Sequence, residues 1–278
     1  MADPTATTRL AAIIGHPVRH SRSPVIANAA FAAAGADWTF LALEVAPGAG
    51  AEAVRAARVL GIGGLMVTMP HKADVIAALD DLTPAARALG AVNSITLDGD
   101  RLVGDNTDGP GLVASLAADD GYDVAGRRCA VIGAGGAARS IVWALADAGA
   151  TEVVVVNRTE ERAASAAHLA GAVGRVGDID DVTGADLVVN ATSVGMGAAA
   201  GADGPLPVPA DRLRAGQVVV DAVYQPLETP LLRAAGAAGA RPVDGLGMLV
   251  HQAAISIRRW IGADPDVAAM TRAARRVL

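Results

Sequence analysis

Cys129-Ala130-Val131-Ile132-Gly133-Ala134-Gly135-Gly136-Ala137-Ala138 is the stretch that decides the fold of this 278-residue chain. Four apolar residues with strand character run into a glycine-rich turn, and an Ala-rich helical stretch follows. The pattern is G-x-G-x-x-A in a strand-turn-helix context. Gly133 permits the tight turn, Gly135 lets the backbone approach a pyrophosphate, and the small Ala138 lets helix and strand pack closely, with the helix N-terminus facing the anion. Gly133, Ala134, Gly135, Gly136 and Ala137 are therefore read as a dinucleotide cradle. The end of the next strand sharpens the assignment. An acidic residue about 20 residues on would bind the ribose 2′-hydroxyl of NAD. Here that place holds Asn157-Arg158-Thr159, with Arg162 one turn later. An Arg fork suits a 2′-phosphate, and the missing acid removes a repulsion against it, so NADP is favoured over NAD. Arginines at a helix start oppose the macrodipole, which argues that they serve a ligand.

Outward from this segment, the second half reads as continuous Val/Ile strands at Arg128 to Ile132, Glu152 to Val156, Leu187 to Val189 and Val218 to Val220, as expected when both sheet faces are covered. Helices fit Ala137 to Ala148 and Glu160 to Leu169. Strands in the first half fit Leu10 to Ile14, Trp38 to Val45 and Leu65 to Thr68. A hairpin follows, Val92 to Leu97 with Leu102 to Val103, turned by Asp98-Gly99. Ser23 reads as an N-cap with Pro24 at the first helical position, opening a helix to about Ala34. Further helices fit Ala51 to Leu60, Lys72 to Leu79 and Gly109 to Ala117. Asp119 to Gly126 reads as a linker, and Ala198 to Gly204 as a mobile loop. Two final helices, Met248 to Ile261 and Asp266 to Leu278, close the chain. The β-α-β-α rhythm predicts an α/β protein with mostly parallel sheets, and at about 150 residues per domain the length predicts two domains.

Composition narrows the class. Hydrophobic residues make up 52% and aromatic residues 3%, so the core is aliphatic. A net charge of −6 without a basic tract argues against a nucleic-acid partner. No apolar run approaches 18 residues, which argues against a membrane span. The single cysteine, Cys129, forbids an internal disulfide or a Cys-based zinc site, and the absence of a basic-then-apolar leader points to the cytoplasm. No metal is expected. Of 23 basic residues, one is lysine, Lys72. Codon bias accounts for the scarcity but not for the survivor.

Polar residues bunch after the first-half strands: Gly15-His16-Pro17-Val18-Arg19-His20-Ser21-Arg22-Ser23-Pro24, then Thr68-Met69-Pro70-His71-Lys72, then Asn93, then Asp105-Asn106-Thr107-Asp108-Gly109. Ligands in open α/β sheets bind beyond the carboxyl ends of strands, so these bunches can converge on one cleft. Hydroxyls, amides, one ammonium and one carboxylate suit a small polyhydroxylated acid. His20 and His71 read as capping or packing residues, Asp105 as a cap of the following turn.

At these residues the chain resembles the shikimate dehydrogenase family. The segments are His20-Ser21-Arg22-Ser23-Pro24, Val67-Thr68-Met69-Pro70-His71-Lys72, Gly90-Ala91-Val92-Asn93, Asp105 to Gly109, Gly133 to Ala138, Asn157-Arg158-Thr159, Asn190-Ala191-Thr192-Ser193 and Asp244 to Ala254. They stand in family order across nearly the whole chain. The resemblance implies a substrate-binding domain over 1–109 and 248–278, with the C-terminal helices packing back on it, and a Rossmann-type NADP-binding domain over 110–247. It implies that Ser21 and Ser23 hold a substrate carboxylate with Thr68 beside it, and that Asn93, Asp108 and Gln252 bind ring hydroxyls. Tyr224 would lie near the substrate, Lys72 and Asp108 would form the catalytic pair, and Thr192, Val223 and Gly245 would join the cofactor set. The implied reaction is reversible reduction of 3-dehydroshikimate to shikimate with NADPH, by a monomer or homodimer. Two positions depart from the family pattern: Met66 stands where Asn usually precedes Val-Thr, and Ala27 where a His is common. Met66 opens the alternative of a sister dehydrogenase for quinate, aminoshikimate or a related cyclohexane acid. A non-catalytic NADP-binding sensor would have been free to lose Lys72 and Asp108, and both are present.

Overall fold

The computed structural model describes residues 3–197 and 204–277, so most of the Gly/Ala-rich loop read at Ala198 to Gly204 lies outside the described residues. The chain divides into two compact units, Met1–Thr107 with Val250–Val277, and Asp108–Leu249. No helix among the described residues is long and apolar enough to cross a membrane.

The first unit opens with β1 (Arg9–Gly15), α1 (Ser23–Ala33), β2 (Trp38–Glu44), α2 (Gly50–Val59) and β3 (Gly64–Val67), followed by β4 (Asp81–Leu82), α3 (Pro84–Leu89), β5 (Ser94–Asp98) and β6 (Arg101–Asp105). The sheet order is β2-β1-β3-β5-β6-β4. β1 runs parallel to β2 and β3, whereas β5 is antiparallel to both β3 and β6. Leu65 and Val67 of β3 join Ala12, Ile14, Val54, Val75 and Ile95 in one aliphatic core, as the two-residue period of a strand requires. Several local expectations shift. Asp98 pairs with Arg101, so the hairpin loop is Gly99-Asp100, one residue later than read, because Gly99 at φ +61° is the first central residue of the turn. Ser23 is the first helical residue, not the cap; Arg22 holds the cap position and makes no capping bond. The helix read at Lys72 to Leu79 is a short 3-10 turn, Asp74–Ala78. The helix α3 was not anticipated, although its signals are plain: Thr83 Oγ1 accepts from Ala86 N at 3.3 Å, Pro84 follows, and Gly90 ends the helix at φ +59°.

The second unit runs α4 (Asp108–Asp120), β7 (Arg128–Ile132), α5 (Gly136–Asp147), β8 (Glu152–Val156), α6 (Glu160–Ala167), β9 (Gly174–Val176), β10 (Leu187–Asn190), β11 (Val218–Asp221), α7 (Pro230–Ala237) and β12 (Arg241–Val243). All its strand pairs are parallel, in the order β12-β11-β10-β7-β8-β9. Numbered from β7, this is the doubly wound order 6-5-4-1-2-3, with the switch point between β7 and β10. Leu112, Leu116, Val131, Ile141, Leu145, Val155, Leu187 and Val189 fill the core on one face. Cys129 is fully buried there, and burial pushes its thiol up to about 12, so it is no nucleophile near neutrality.

The chain then returns to the first unit through α8 (Leu246–Ile261) and α9 (Val267–Arg275). Trp260 of α8 donates its indole N–H to Ile95 O at 3.1 Å and stacks on Phe40 with ring centroids 6.0 Å apart. Gly64 lies beneath that indole, where any Cβ would overlap the ring. Asp105 does not cap a turn. It accepts from Thr83 Oγ1 and pairs with Arg259 Nη1 at 2.6 Å, fastening α8 to the end of β6.

At the edge of the second sheet, Arg175 of β9 bonds Glu152 Oε1 at 2.7 Å and both oxygens of Asp181, at 2.6 and 3.1 Å. Bonds to this guanidinium hold both carboxyls below their ordinary values of 4.5 for Glu and 3.8 for Asp. A lowered folded-state value contributes stability that is present above the unfolded value and lost as pH falls through the folded one. Arg175→Met is therefore expected to destabilise by about 1 kcal/mol at neutral pH, an exposed-pair magnitude, and progressively less below about pH 4. Urea titrations at pH 7 and pH 3 measure this, and a gap that does not shrink at pH 3 would contradict it.

Candidate active site

The first unit places its polar residues by backbone anchors at the strand ends. Thr68 N donates to Ile14 O at 3.0 Å, and His16 N donates to Met69 O at 2.9 Å, so the segment after β3 lies alongside the segment after β1. Gly15 makes that approach possible: a Cβ there would overlap the Thr68 methyl and come within 3.2 Å of Met69 O. Ser21 and Ser23 follow on the same segment, with Ser23 N donating to Ser21 Oγ at 3.2 Å.

Lys72 is held at its backbone, where its carbonyl accepts from Val92 N at 2.7 Å. The residue that bears the ammonium is therefore tied to the segment leading into β5. His71 beside it is wholly buried, with Nε2 2.9 Å from Val45 O and Nδ1 3.2 Å from Asp74 Oδ2, which agrees with a packing role. Exposed His20 offers no comparable anchor.

Asn93 is 4% exposed, and its Oδ1 accepts from Thr107 N at 2.8 Å and from Thr107 Oγ1 at 3.2 Å. Those two donors fix which edge of the amide is the acceptor and which the donor. Thr107 Oγ1 also lies 3.4 Å from Gln252 Oε1, which brings α8 into the same group. In the sequence, Thr107 stands within the Asp105 to Gly109 motif, and its only signal there is adjacency to Asp108. Thr68, Lys72, Asn93, Thr107 and Gln252 thus share one unit. Asp108, the first residue of α4, and half-buried Tyr224, just after β11, belong to the second.

In the second unit, Gly133 has φ +111° and donates its N–H to Val156 O at 2.8 Å. A Cβ at Gly133 would come 3.0 Å from Thr192 Cγ2 and 3.2 Å from Ala191 O, whereas Cβ atoms at Gly135 and Gly136 would meet nothing within 4 Å. The loop is therefore packed beneath and open above, a cradle with room for a pyrophosphate. Gly135 takes the N-cap position of α5 with no side-chain bond to the first-turn amides, so Gly136 and Ala137 present backbone to an anion. Asn157 Nδ2 donates to Thr159 O at 2.9 Å, bracing the turn that carries exposed Arg158, and Arg162 is exposed one turn into α6. These residues fit a 2′-phosphorylated dinucleotide.

The remaining cofactor candidates hang on one buried carboxylate that sequence reasoning did not single out. Asp221 is fully buried at the end of β11. Its Oδ1 accepts from Asn190 Nδ2 at 2.8 Å and Val223 N at 3.1 Å, and its Oδ2 from Thr229 Oγ1 at 2.7 Å. Burial pushes its carboxyl above the ordinary value, and the Thr229, Val223 and Asn190 bonds oppose that. Asn190 Oδ1 in turn accepts from Thr192 N at 3.0 Å and Thr192 Oγ1 at 2.7 Å. Gly245 closes the group, its N–H 3.3 Å from Val223 O, and a Cβ there would press on the backbone oxygens of Ala222 and Val223. The network thus positions Thr192, Val223 and Gly245 together. No cluster of His, Cys, Asp or Glu suited to a metal ion occurs among the described residues.

Residues 13–95 match the shikimate dehydrogenase substrate binding domain, residues 115–196 the shikimate / quinate 5-dehydrogenase domain, and residues 245–275 the shikimate 5′-dehydrogenase C-terminal domain. A curated relative, the shikimate dehydrogenase (NADP(+)) of Moorella thermoacetica, is 45% identical over 98% of this chain and 95% of its own length. Shikimate 5-dehydrogenase from Thermus thermophilus, solved in complex with NADP(H) and shikimate, superposes with a TM-score of 0.89 at 37% identity, covering 97% of this chain and 100% of that one. The ligand-free 5-ketofructose reductase of a Gluconobacter strain superposes with a TM-score of 0.90 at 32% identity, covering 99% of this chain and 100% of that one. Near-complete coverage, with the strand-end residues standing in the order the motifs require, makes the conclusion direct: the chain belongs to the shikimate dehydrogenase family.

Proposed function

We propose that this enzyme catalyses the reversible, NADP-dependent reduction of 3-dehydroshikimate to shikimate, a step of aromatic amino-acid biosynthesis, as a monomer or homodimer in the cytoplasm. The observation that carries the proposal is the group in the first unit: Thr107 within hydrogen-bonding reach of both Asn93 and Gln252, with Lys72 anchored to Val92, the residue before Asn93. Residues 1–109 and 248–278 hold the substrate, and 110–247 the dinucleotide. Ser21, Ser23 and Thr68 offer hydroxyls to the substrate carboxylate; Asn93 and Gln252 offer amides to the ring hydroxyls, with Tyr224 alongside.

When bound, NADPH supplies the hydride that reaches the C3 carbonyl carbon. Everything else falls to the protein. Charge developing on the C3 oxygen needs a donor that both stabilises it and yields a proton. Lys72 Nζ has three N–H bonds and can release one; an arginine at the same place could not, because its very high pKa holds the proton. Asp108 is the partner carboxylate that orients the ammonium. In the reverse direction Lys72 takes the proton back from the C3 hydroxyl.

Lys72→Ala is expected to lower kcat for shikimate oxidation by about 10²- to 10⁴-fold, the ordinary range for a general acid, with the KM for NADP nearly unchanged. Lys72→Arg, which restores the charge but not the transferable proton, is expected to remain closer to the Ala variant than to the parent. Steady-state rates decide, and normal turnover in either variant sinks this mechanism. Arg158→Ala is expected to shift the NADP-to-NAD ratio of kcat/KM toward NAD by about tenfold or more, the value of one charge-assisted contact. An unchanged ratio removes Arg158 from the 2′-phosphate site.

A second reading rests on Met66. It is 3% exposed on β3 and pairs across the sheet with Ser94, whose buried Oγ lacks a hydrogen-bond partner among the described residues. A thioether cannot offer that hydroxyl, or a substrate, the bond an amide would. This favours a sister activity on quinate, aminoshikimate or a related cyclohexane acid. Comparing kcat/KM for these acids in the parent and in Met66→Asn tests it. The shikimate reading expects shikimate to lead in the parent, and the sister reading expects shikimate to lead only after the substitution.

A further inference from the structure

We infer that Arg139 is a third guanidinium of the nucleotide-selecting site, directed at the 2′-phosphate of a 2′-phosphorylated adenosine. The inference rests on the NADP reading above and concerns a residue outside the G-x-G-x-x-A and Asn157-Arg158-Thr159 motifs. A cavity of about 260 Å³ in the second unit is lined by Ala134 of the glycine loop, by Arg139 of α5, and by Glu161, Arg162 and Ser165 of α6. Arg139 and Arg162 therefore face one space from two helices.

The Arg139 side chain is held there. Its Nη1 donates to Ser165 Oγ at 2.9 Å, while its backbone N–H is taken by Gly135 O at 2.9 Å. The guanidinium thus reaches from α5 to α6, the helix that also carries Arg162 into the same cavity. A guanidinium has five N–H donors, so one bond to Ser165 leaves the planar fork capable of a bidentate grip.

Charge supports the same ligand. Glu161 lines the cavity with one negative charge, so Arg162 alone would leave the wall neutral. Arg139 makes it net positive, and Arg158 adds to this at the neighbouring turn. A phosphate monoester carries about −1.5 to −2 at neutral pH, a charge that one uncompensated guanidinium does not match and several do. A 2′-hydroxyl presents no such charge, so Arg139 acts on the choice between NADP and NAD.

The test uses the full chain and the binding of nucleotide fragments, independent of turnover. Calorimetric Kd values for 2′,5′-ADP and 5′-AMP are compared in the parent, Arg139→Met, Arg139→Lys and Ser165→Ala, with the thermal midpoint of each recorded. Arg139→Met is expected to weaken 2′,5′-ADP by about tenfold while leaving 5′-AMP and the midpoint unchanged. Arg139→Lys is expected to recover part of the loss, because it keeps the charge without the fork, and Ser165→Ala to show a smaller loss. Unchanged 2′,5′-ADP affinity in Arg139→Met overturns the inference, as does an equal loss for both fragments, which would place Arg139 elsewhere on the nucleotide. If Arg139→Met lowers the midpoint, Arg139→Lys decides: selective weakening of 2′,5′-ADP supports the role and parental affinities overturn it. A parent that binds the two fragments equally overturns the NADP reading and this inference together. A parent that prefers 2′,5′-ADP, with variants that do not differ from it, overturns this one alone.

Discussion

The first unit depends on the carboxylate of Asp105. Its side chain is 8% exposed at the last residue of β6, and it is satisfied by the Thr83 hydroxyl on one side and by Arg259 of α8 on the other. A carboxylate this buried is tolerable only when paired and hydrogen-bonded, so the sheet end, the cap of α3 and the C-terminal helix must assemble together. The consequence reaches the chemistry. Asp105 O accepts from Asn93 N at 2.9 Å, and two residues on, Thr107 bonds the Asn93 side chain and approaches Gln252, so one anchor sets the register of strand, loop and helix. Trp260, one residue beyond Arg259, seals the same helix over Gly64. A helix some 145 residues away in sequence thereby delivers an amide to the Thr107 hydroxyl that Asn93 also holds.

The second unit solves a comparable problem with Asp221. Strands of a parallel sheet all end on one edge, and the loops leaving that edge have no ladder to organise them. Asp221, Asn190, Thr192 and Thr229 supply that order through mutual bonds, and each polar group in the network meets a partner. Gly133 packs against the Thr192 methyl, so the pyrophosphate turn and the Asn190 to Thr192 segment are shaped by one another. The shape of the cradle and the placement of Thr192 and Val223 are thus aspects of a single packed edge.

Much of this was legible in advance, for reasons that differ by element. The strands β8, β10 and β11 are built on runs of Val and Leu and β7 on Cys-Ala-Val-Ile, all buried on both faces, and such apolar runs announce themselves. The peripheral β9 and β12, three residues each, carry no such signal, nor does the two-residue β4. The 3-10 turn at Asp74 to Ala78 was read as a helix because its apolar residues, Val75 and Ile76, fit either period over so short a span. Ser23 looked like a cap from its neighbour Pro24, but proline is accepted at the second helical position as well as the first, and the boundary moved by one. Lys72 was conspicuous as the sole lysine among 23 basic residues. Arg139, one of the 22 arginines, was not, since only the cavity distinguishes it from the others.

The sequence by itself determined the α/β class, the glycine turn with its Arg-bearing strand end, and the membership of the shikimate dehydrogenase family that its ordered motifs announce. These follow from local sterics and from functional groups a few residues apart, which the order of residues states directly. Tertiary structure alone decided that Thr107 links Asn93 to Gln252, that Asp105 clasps Arg259 instead of capping a turn, and that Arg139 shares a cavity with Arg162. Each of these joins elements distant in the chain, and their approach is set by which faces bury together and which buried charges find partners. No window of sequence contains both sides of such a contact.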